Sequence, residues 1–300
     1  MREPSKKRLV AVGAVCETSI YRVDAVPAPP AKALASDAAR VADGMAISAA
    51  YTFAKLGGAA SAWARVGNDA RGQAIRDELG QAGLDVSDIR AVAAGRSSHA
   101  CVIVDADGKR LVVPFHDRQL DPSPAWLPTE NLKTADFALA DVRWVEGAEA
   151  VLGAARAQGV PAMLDADVGP REILARLVPL AAYAVFSDAG LFAYTGLDAL
   201  EPALRAVSAT HAGHVGASCG ADGYFWLEDG AVRHVPALAV DVVDTLSAGD
   251  VFHGALALGL AEGMAMAQAA RFACVAASLK CRHFGGRLGC PSRAEVDAAL

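Results

Sequence analysis

No stretch of this 300-residue chain stays apolar long enough to cross a bilayer. The apolar run over residues 9–16, behind a charged start, is too short for a secretory core with its cleavage site. There is no C-x-x-C pair. The six cysteines, at 16, 101, 219, 274, 281 and 290, are too sparse for a small disulfide scaffold and read as reduced thiols rather than a zinc site. Seven histidines, at 99, 116, 211, 214, 234, 253 and 283, show no metal-ligand spacing. No basic block interrupts a net charge of −6, which argues against nucleic acid as a partner. Tandem repeats, low-complexity tracts and an interdomain linker are missing too. These absences predict a soluble, cytoplasmic chain with no membrane partner.

What is present is a packed composition, 53% hydrophobic and 21% charged. Three hundred residues can bury one large core, and residues 1–300 read as a single α/β domain. An apolar run at 9–15 predicts the first buried strand. Helices are expected over 44–57, stopped by Gly57-Gly58, and over 69–82, with a strand over 59–66 between them. From residue 136 onward, strands at 137–140, 160–164, 183–186 and 214–218 alternate with helices at 146–158, 170–178, 188–195 and 198–209. A hairpin over 224–235 precedes helices at 251–263, 265–281 and 292–300. Two irregular β segments break this rhythm: 19–41, extended around Pro27, Pro29 and Pro30, and 97–116, a hairpin turning at Asp105-Ala-Asp107-Gly108. The expected architecture is therefore a doubly wound, mostly parallel sheet flanked by helices, with a small β lid built from about 19–41 and 97–116. Such folds bind ligands at the carboxyl ends of their strands. Exposed lid edges predict a homodimer that pairs lid to lid.

One stretch organises the rest: Asp241-Val-Val-Asp244-Thr245-Leu-Ser247-Ala248-Gly249-Asp250, followed by Val251-Phe252-His253-Gly254-Ala255-Leu256. It reads as a buried strand, a turn of small residues and a helix start. Backbone N–H groups at a helix start have no partner within the helix, and the helix dipole favours an anion there. Ser247, Ala248 and Gly249 would form that anion hole, with Asp250 beside it. A carboxylate repels phosphate, so its place here makes sense if it accepts a proton from an attacking hydroxyl. An Asp at a helix start is also an ordinary cap, and these residues alone leave both readings open.

D-T-L-S-A-G-D followed by V-F-H-G-A-L resembles the signature of the ribokinase (PfkB-type) sugar kinases, D-T-x-G-A-G-D-x-F-x-G-A, with Ser247 where Gly is usual. The resemblance implies an ATP-dependent kinase of ribokinase-like fold that uses Mg2+, with Asp250 as catalytic base. Further upstream, Leu56-Gly57 and Arg65-Val66-Gly67-Asn68-Asp69 match the family, whereas Ala42-Asp43 stands where its Gly-Gly hinge is usual. Thr18, preceded by Glu17, stands where an Asp usually holds sugar hydroxyls. Ser187-Asp188-Ala-Gly190 replaces N-x-x-E, which leaves Asp188 as the carboxylate to position magnesium through water.

On the nucleotide side, Ser218-Cys-Gly220-Ala-Asp-Gly223 resembles the family's phosphate-contacting turn, and Lys280 to Gly285 its adenine-closing loop. ATP contacts are thus implied for Ser218, Gly220, Gly223, Thr245, Lys280 and Gly285, and a potassium site for Asp241 with Thr245. Sugar contacts are implied for Thr18, Asp43, Gly44 and Asp250. Several short stretches (L-A-D-V-R-W, L-D-A-D, F-S-D-A-G-L) look similar to the sulfofructose kinase branch, where Lys32 and Arg143 would grip an anionic group on a ketose. Arg118 reads as solvated surface. The departures from the family pattern leave two alternatives open: a kinase-fold sensor without turnover, and a nucleoside kinase of the same fold.

Overall fold

The computed structural model describes residues 6–26, 28, 32–106 and 108–300. The expected extension at Pro27, Pro29 and Pro30, the turn residue Asp107 and residues 1–5 lie outside the described residues. In chain order the elements are β1 (Arg8–Val12), β2 (Cys16–Arg22), β3 (Asp37–Asp43), α1 (Met45–Lys55), β4 (Ala59–Gly67), α2 (Ala70–Gln81), β5 (Ile89–Val92), β6 (His99–Val104) and β7 (Arg110–Phe115). There follow β8 (Phe137–Asp141), α3 (Val145–Gln158), β9 (Ala162–Ala166), α4 (Arg171–Leu177), β10 (Tyr183–Ser187), α5 (Asp188–Thr195), α6 (Leu200–Ser208) and β11 (His214–Ser218). The chain ends in β12 (Tyr224–Glu228), β13 (Ala231–Val235), α7 (Ala248–Ala261), α8 (Met266–Lys280) and α9 (Arg293–Ala299).

Nine strands form one sheet in the order β13-β12-β11-β10-β9-β8-β1-β4-β5. Pairing is parallel from β11 to β5 and antiparallel only at β12 and β13. Alternate residues of a strand point to opposite faces, and here both faces are covered. Leu9 and Ala11 of β1 enter a core shared with Phe53, Leu256 and Phe272 of α1, α7 and α8. Val10 and Val12 enter a second core with Leu152, Leu174 and Leu204 of α3, α4 and α6. A parallel sheet buried on both sides is what the continuous apolar runs predicted.

A second sheet, β3-β2-β6-β7, stands apart from the first. β2 pairs parallel with β6 and antiparallel with β3, and β6 and β7 form the expected hairpin. Its inner face buries Ile20, Val41, Val102 and Val104 against Leu246 and Phe284.

One expectation fails, and one strand was not expected. Residues 241–244 are not a strand: the Val243 and Asp244 N–H groups both donate to the Cys281 carbonyl, just past α8, instead of to a sheet neighbour. Val242, although β-branched, is 55% exposed. The edge strand β5 has no counterpart in the sequence reading, because a strand with one neighbour buries only its first residue, Ile89, and shows no apolar run.

Candidate active site

The second sheet and the carboxyl ends of β9 to β11 enclose a cavity of about 600 Å3. Thr18, Val102 and Val112 line one wall, and Asp165, Asp167, Ser187 and Ser218 the other. The start of α7, Thr245 to Asp250, forms its floor. The site thus lies where a doubly wound sheet places its ligands.

At the floor, Ser247 takes a left-handed conformation, φ 60°, which is unusual for a side chain with a Cβ and common for glycine. That geometry explains why the motif usually carries Gly there. Ala248 N–H donates back to the Thr245 carbonyl at 3.2 Å, so it is not part of an anion hole. The N–H groups of Ser247, Gly249 and Asp250 have no partner among the described residues. Gly249 has open space where a Cβ would sit, which lets a ligand approach the backbone. Ser247 Oγ is buried and makes no well-formed hydrogen bond, although its position beside Asp250 slightly favours the charged carboxylate.

Asp250 faces the cavity from the first turn of α7. Burial, then the nearby Asp43 and Asp165 carboxylates, push its pKa well above the usual carboxylate range. Asp43 itself is held by Ser48 Oγ, which donates to Oδ1 at 2.6 Å, and by Thr18 Oγ1, which donates to Oδ2 at 3.2 Å. Gly44 carries φ 144°, and a Cβ there would lie 2.2 Å from the Ala14 carbonyl oxygen. Thr18 therefore points inward as expected. Glu17 points outward, where Arg71 engages it at 3.1 Å.

Arg143 lines the cavity just past β8, but its fork is already occupied. Nη1 donates to the Val168 carbonyl and Nη2 to Asp167 Oδ2, both at 3.0 Å. A smaller chamber of about 290 Å3 adjoins the main cavity, and Ala14, Val15, His116 and Arg143 line both. Arg65 and Arg118 line that chamber, and Arg118 is exposed, as expected, at its rim. Lys32, in contrast, is exposed in the β2–β3 loop and lines neither space.

A profile of the pfkB family of carbohydrate kinases matches residues 6–293. The chain belongs to that family. This kinase is 23% identical over 290 residues to the ribokinase of Lactococcus lactis, covering 96% of this chain and 95% of that one. A solved structure of a provisionally assigned ribokinase from Agrobacterium tumefaciens superposes with a TM-score of 0.96 at 40% identity, covering 98% and 97% of the two chains. An Arabidopsis thaliana ribokinase solved with ribose and ATP superposes at 0.81 with 25% identity, covering 98% of each.

Within this kinase the nucleotide residues named from the sequence divide. Ser218 and Thr245 line the cavity, and Gly220 is exposed at a turn with open space around it. Gly223 is a packing glycine: a Cβ there would lie 2.1 Å from the Val235 carbonyl oxygen. Lys280 and Gly285 are buried and turned onto Asp244, away from the cavity. Asp188 lies on the surface and caps its own neighbour, Ala189 N–H, while Asp241 is exposed and unpaired among the described residues.

Asp165, Asp167 and His253, to which the sequence assigns no site role, all line the cavity. Asp167 accepts from Ser187 Oγ at 2.9 Å and from Arg143, joining β9, β10 and the residues after β8. The pKa of Asp165 is pushed far up by burial, then by Asp167 and Asp141. His253 Nδ1 lies 2.7 Å from the Gly249 carbonyl oxygen, bracing the first turn of α7. The signal was available: two acids, L-D-A-D, close an apolar strand at its carboxyl end.

Among the described residues no three His, Cys, Asp or Glu side chains converge as a metal site. The crowded Asp165, Asp167 and Asp250 carboxylates still fit a divalent ion that arrives on phosphate oxygens and keeps most of its water shell.

Proposed function

We propose that this kinase transfers the terminal phosphoryl group of ATP to a primary hydroxyl of a ketose-like sugar. The observation that carries this reading is Asp250, placed in the cavity beside three unpaired backbone N–H groups. The acceptor hydroxyl approaches Asp250, which takes its proton as the oxygen attacks phosphorus. The oxygen–phosphorus bond to ADP breaks as the new one forms. The N–H groups of Ser247, Gly249 and Asp250 stabilise charge on the phosphoryl oxygens. Asp165 and Asp167, which line the cavity, would hold a magnesium ion brought by ATP through its water shell, and that ion would supply neutralisation of phosphate charge.

Asp43 accepts hydrogen bonds from sugar hydroxyls, and so does Thr18 Oγ1, whose own proton goes to Asp43. The four-stranded sheet acts as the lid of a single catalytic unit, closing over the sugar and excluding the water that would hydrolyse ATP. Support for a sugar acceptor comes from the relatives named as ribokinases and from the ribose and ATP in the Arabidopsis structure. The finer reading is an acceptor with an anionic substituent such as sulfonate or phosphate. Its support is the adjoining chamber, lined by Arg118 and by Arg65 and Arg143, the last two already held by the Asp121 carbonyl oxygen and by Asp167, with Asp117 as the one carboxylate, itself engaged by Arg96 at 3.0 Å.

The outer face of the lid exposes Tyr21, Leu111 and Val113, which favours a homodimer through that face. No helix of the described residues is long and apolar enough to cross a membrane, and a cytoplasmic place fits a kinase fed by ATP. Coupled ADP release with fructose, ribose, fructose 6-phosphate and sulfofructose tests the reading. Release with at least one of them supports it. No release with any, under conditions where ATP binds, would leave a sugar-binding protein without turnover.

A further inference from the structure

The potassium site that the family resemblance implies at Asp241 and Thr245 has Asp244 as the buried carboxylate of the same segment, and an ammonium already stands on that residue. Lys280, the last residue of α8, is 0% exposed. Its Nζ donates to the Asp244 carbonyl oxygen at 2.7 Å and lies 3.3 Å from Asp244 Oδ2. Asp244 is saturated from every side. Oδ1 accepts the Leu246 N–H at 2.7 Å, Oδ2 accepts those of Gly285 and Gly286 at 3.0 and 3.1 Å, and the Asp244 N–H reaches the Cys281 carbonyl at 3.1 Å. The held Leu246 N–H lies one residue before Ser247, whose left-handed turn presents the unpaired N–H groups at the cavity floor.

The carbonyl and a carboxylate oxygen of Asp244 on one positive centre are the kinds of ligand an alkali cation takes. A buried ammonium is costly unless paired, and here it also sits at the negative end of α8, where a cation is favoured. A simple packing role would be served as well by an apolar side chain in place of Lys280. The position of the charge, one residue from the turn that must receive phosphate, points to more.

We propose that the Lys280 ammonium is a tethered replacement for a monovalent cation, holding the Asp244–Ser247 turn in its phosphate-receiving form so that turnover needs no potassium. Lys280 acts through Asp244 and is a positioning residue. The proposal rests on the phosphoryl-transfer reading above for its kinetic arm only.

Turnover is measured with potassium, sodium or tetramethylammonium as the sole monovalent cation. The wild type should vary by less than about twofold among them. In tetramethylammonium, Lys280→Ala should lose about tenfold or more, the scale of a lost charged hydrogen bond. Potassium or ethylammonium should restore that variant saturably, with no matching effect on the wild type. Activation of the wild type by potassium of fivefold or more would overturn the proposal. So would a folded Lys280→Ala that is equally weak in every salt. Should no acceptor be turned over, thermal stabilisation by ATP supplies the readout: equal in the three salts for the wild type, and potassium-dependent for Lys280→Ala. Potassium-dependent stabilisation of the wild type would again refute it. If Lys280→Ala fails to fold, the wild-type salt profile and that of Lys280→Arg, which keeps the charge, decide the matter by the same criterion.

Discussion

Arg287 Nε donates to the Ala42 carbonyl oxygen at 2.6 Å, so a residue near the carboxyl end of the chain holds the base of the lid. The same guanidinium meets Glu78 Oε1 at 2.6 Å, and both Glu78 oxygens accept the Ala42 N–H, at 3.0 and 2.9 Å. Ala42 stands where relatives carry the first glycine of a flexible pair. Both its backbone groups are spoken for, and Asp43 beside it is held by Thr18 and Ser48. If the four-stranded sheet is the lid proposed above, its base is held by contacts where glycine would leave freedom. Arg287→Met removes charged hydrogen bonds and should cost about 2 kcal/mol of stability by chemical denaturation. It should also raise the sugar KM more than the ATP KM, because the lid base moves and the phosphate turn does not.

Asp250→Asn keeps the shape and removes the proton acceptor. Turnover should fall by about 100-fold or more, the usual scale for a general base, while ATP still binds. Near-normal turnover would remove Asp250 from that role. The variant should also be more stable at neutral and higher pH. A carboxyl whose folded pKa lies above its unfolded value favours folding at low pH, and that contribution is lost as pH rises through the folded pKa. Asn does not titrate, so its advantage in thermal unfolding grows with pH over that window.

The same raised pKa fixes the acid limb of the rate profile. Asp250 must be charged to accept a proton, so kcat/KM should fall as pH drops through a value above the ordinary carboxylate range. Asp43 contributes to that rise. Asp43→Asn should therefore move the acid limb to lower pH, a shift that simple loss of a sugar contact would not produce.

Ser247 occupies a backbone conformation that suits glycine. Ser247→Gly relieves roughly 1–2 kcal/mol of left-handed strain. It gives back about 0.5–1 kcal/mol in chain entropy. The variant should be at least as stable as the wild type in thermal unfolding and should retain turnover. Ser247→Val should lower both.

Arg118 has no ion pair among the described residues and lines the basic chamber. Arg118→Gln should reduce the preference for an anionic over a neutral sugar about tenfold, read as a ratio of kcat/KM values. An unchanged ratio would assign the chamber to solvent.

Much of this was legible before any coordinates. The parallel sheet followed from apolar runs such as Leu9 to Val12, and the floor of the site from the residues Ser247 to Asp250. What stayed hidden was direction. Nothing in the string says that Lys280 turns inward to Asp244 while Arg118 turns to a cavity, since both are single basic residues whose surroundings come from distant segments. The β-branched Val242 and Val243 suggested a strand, but tertiary pairing with the end of α8 overrode local preference. Asp165 and Asp167, within the L-D-A-D stretch, carry no site role in the sequence because only the sheet order brings the end of β9 to the cavity.

Cys16 lines the catalytic cavity, yet burial, with Asp43 adding, pushes its thiol up to about 12. Sulfur chemistry depends on the thiolate, which is scarce there at physiological pH. An electrophilic inhibitor directed at this sulfur would meet an unreactive group, and the cleft should tolerate air and alkylating reagents that silence enzymes with exposed, acidic cysteines.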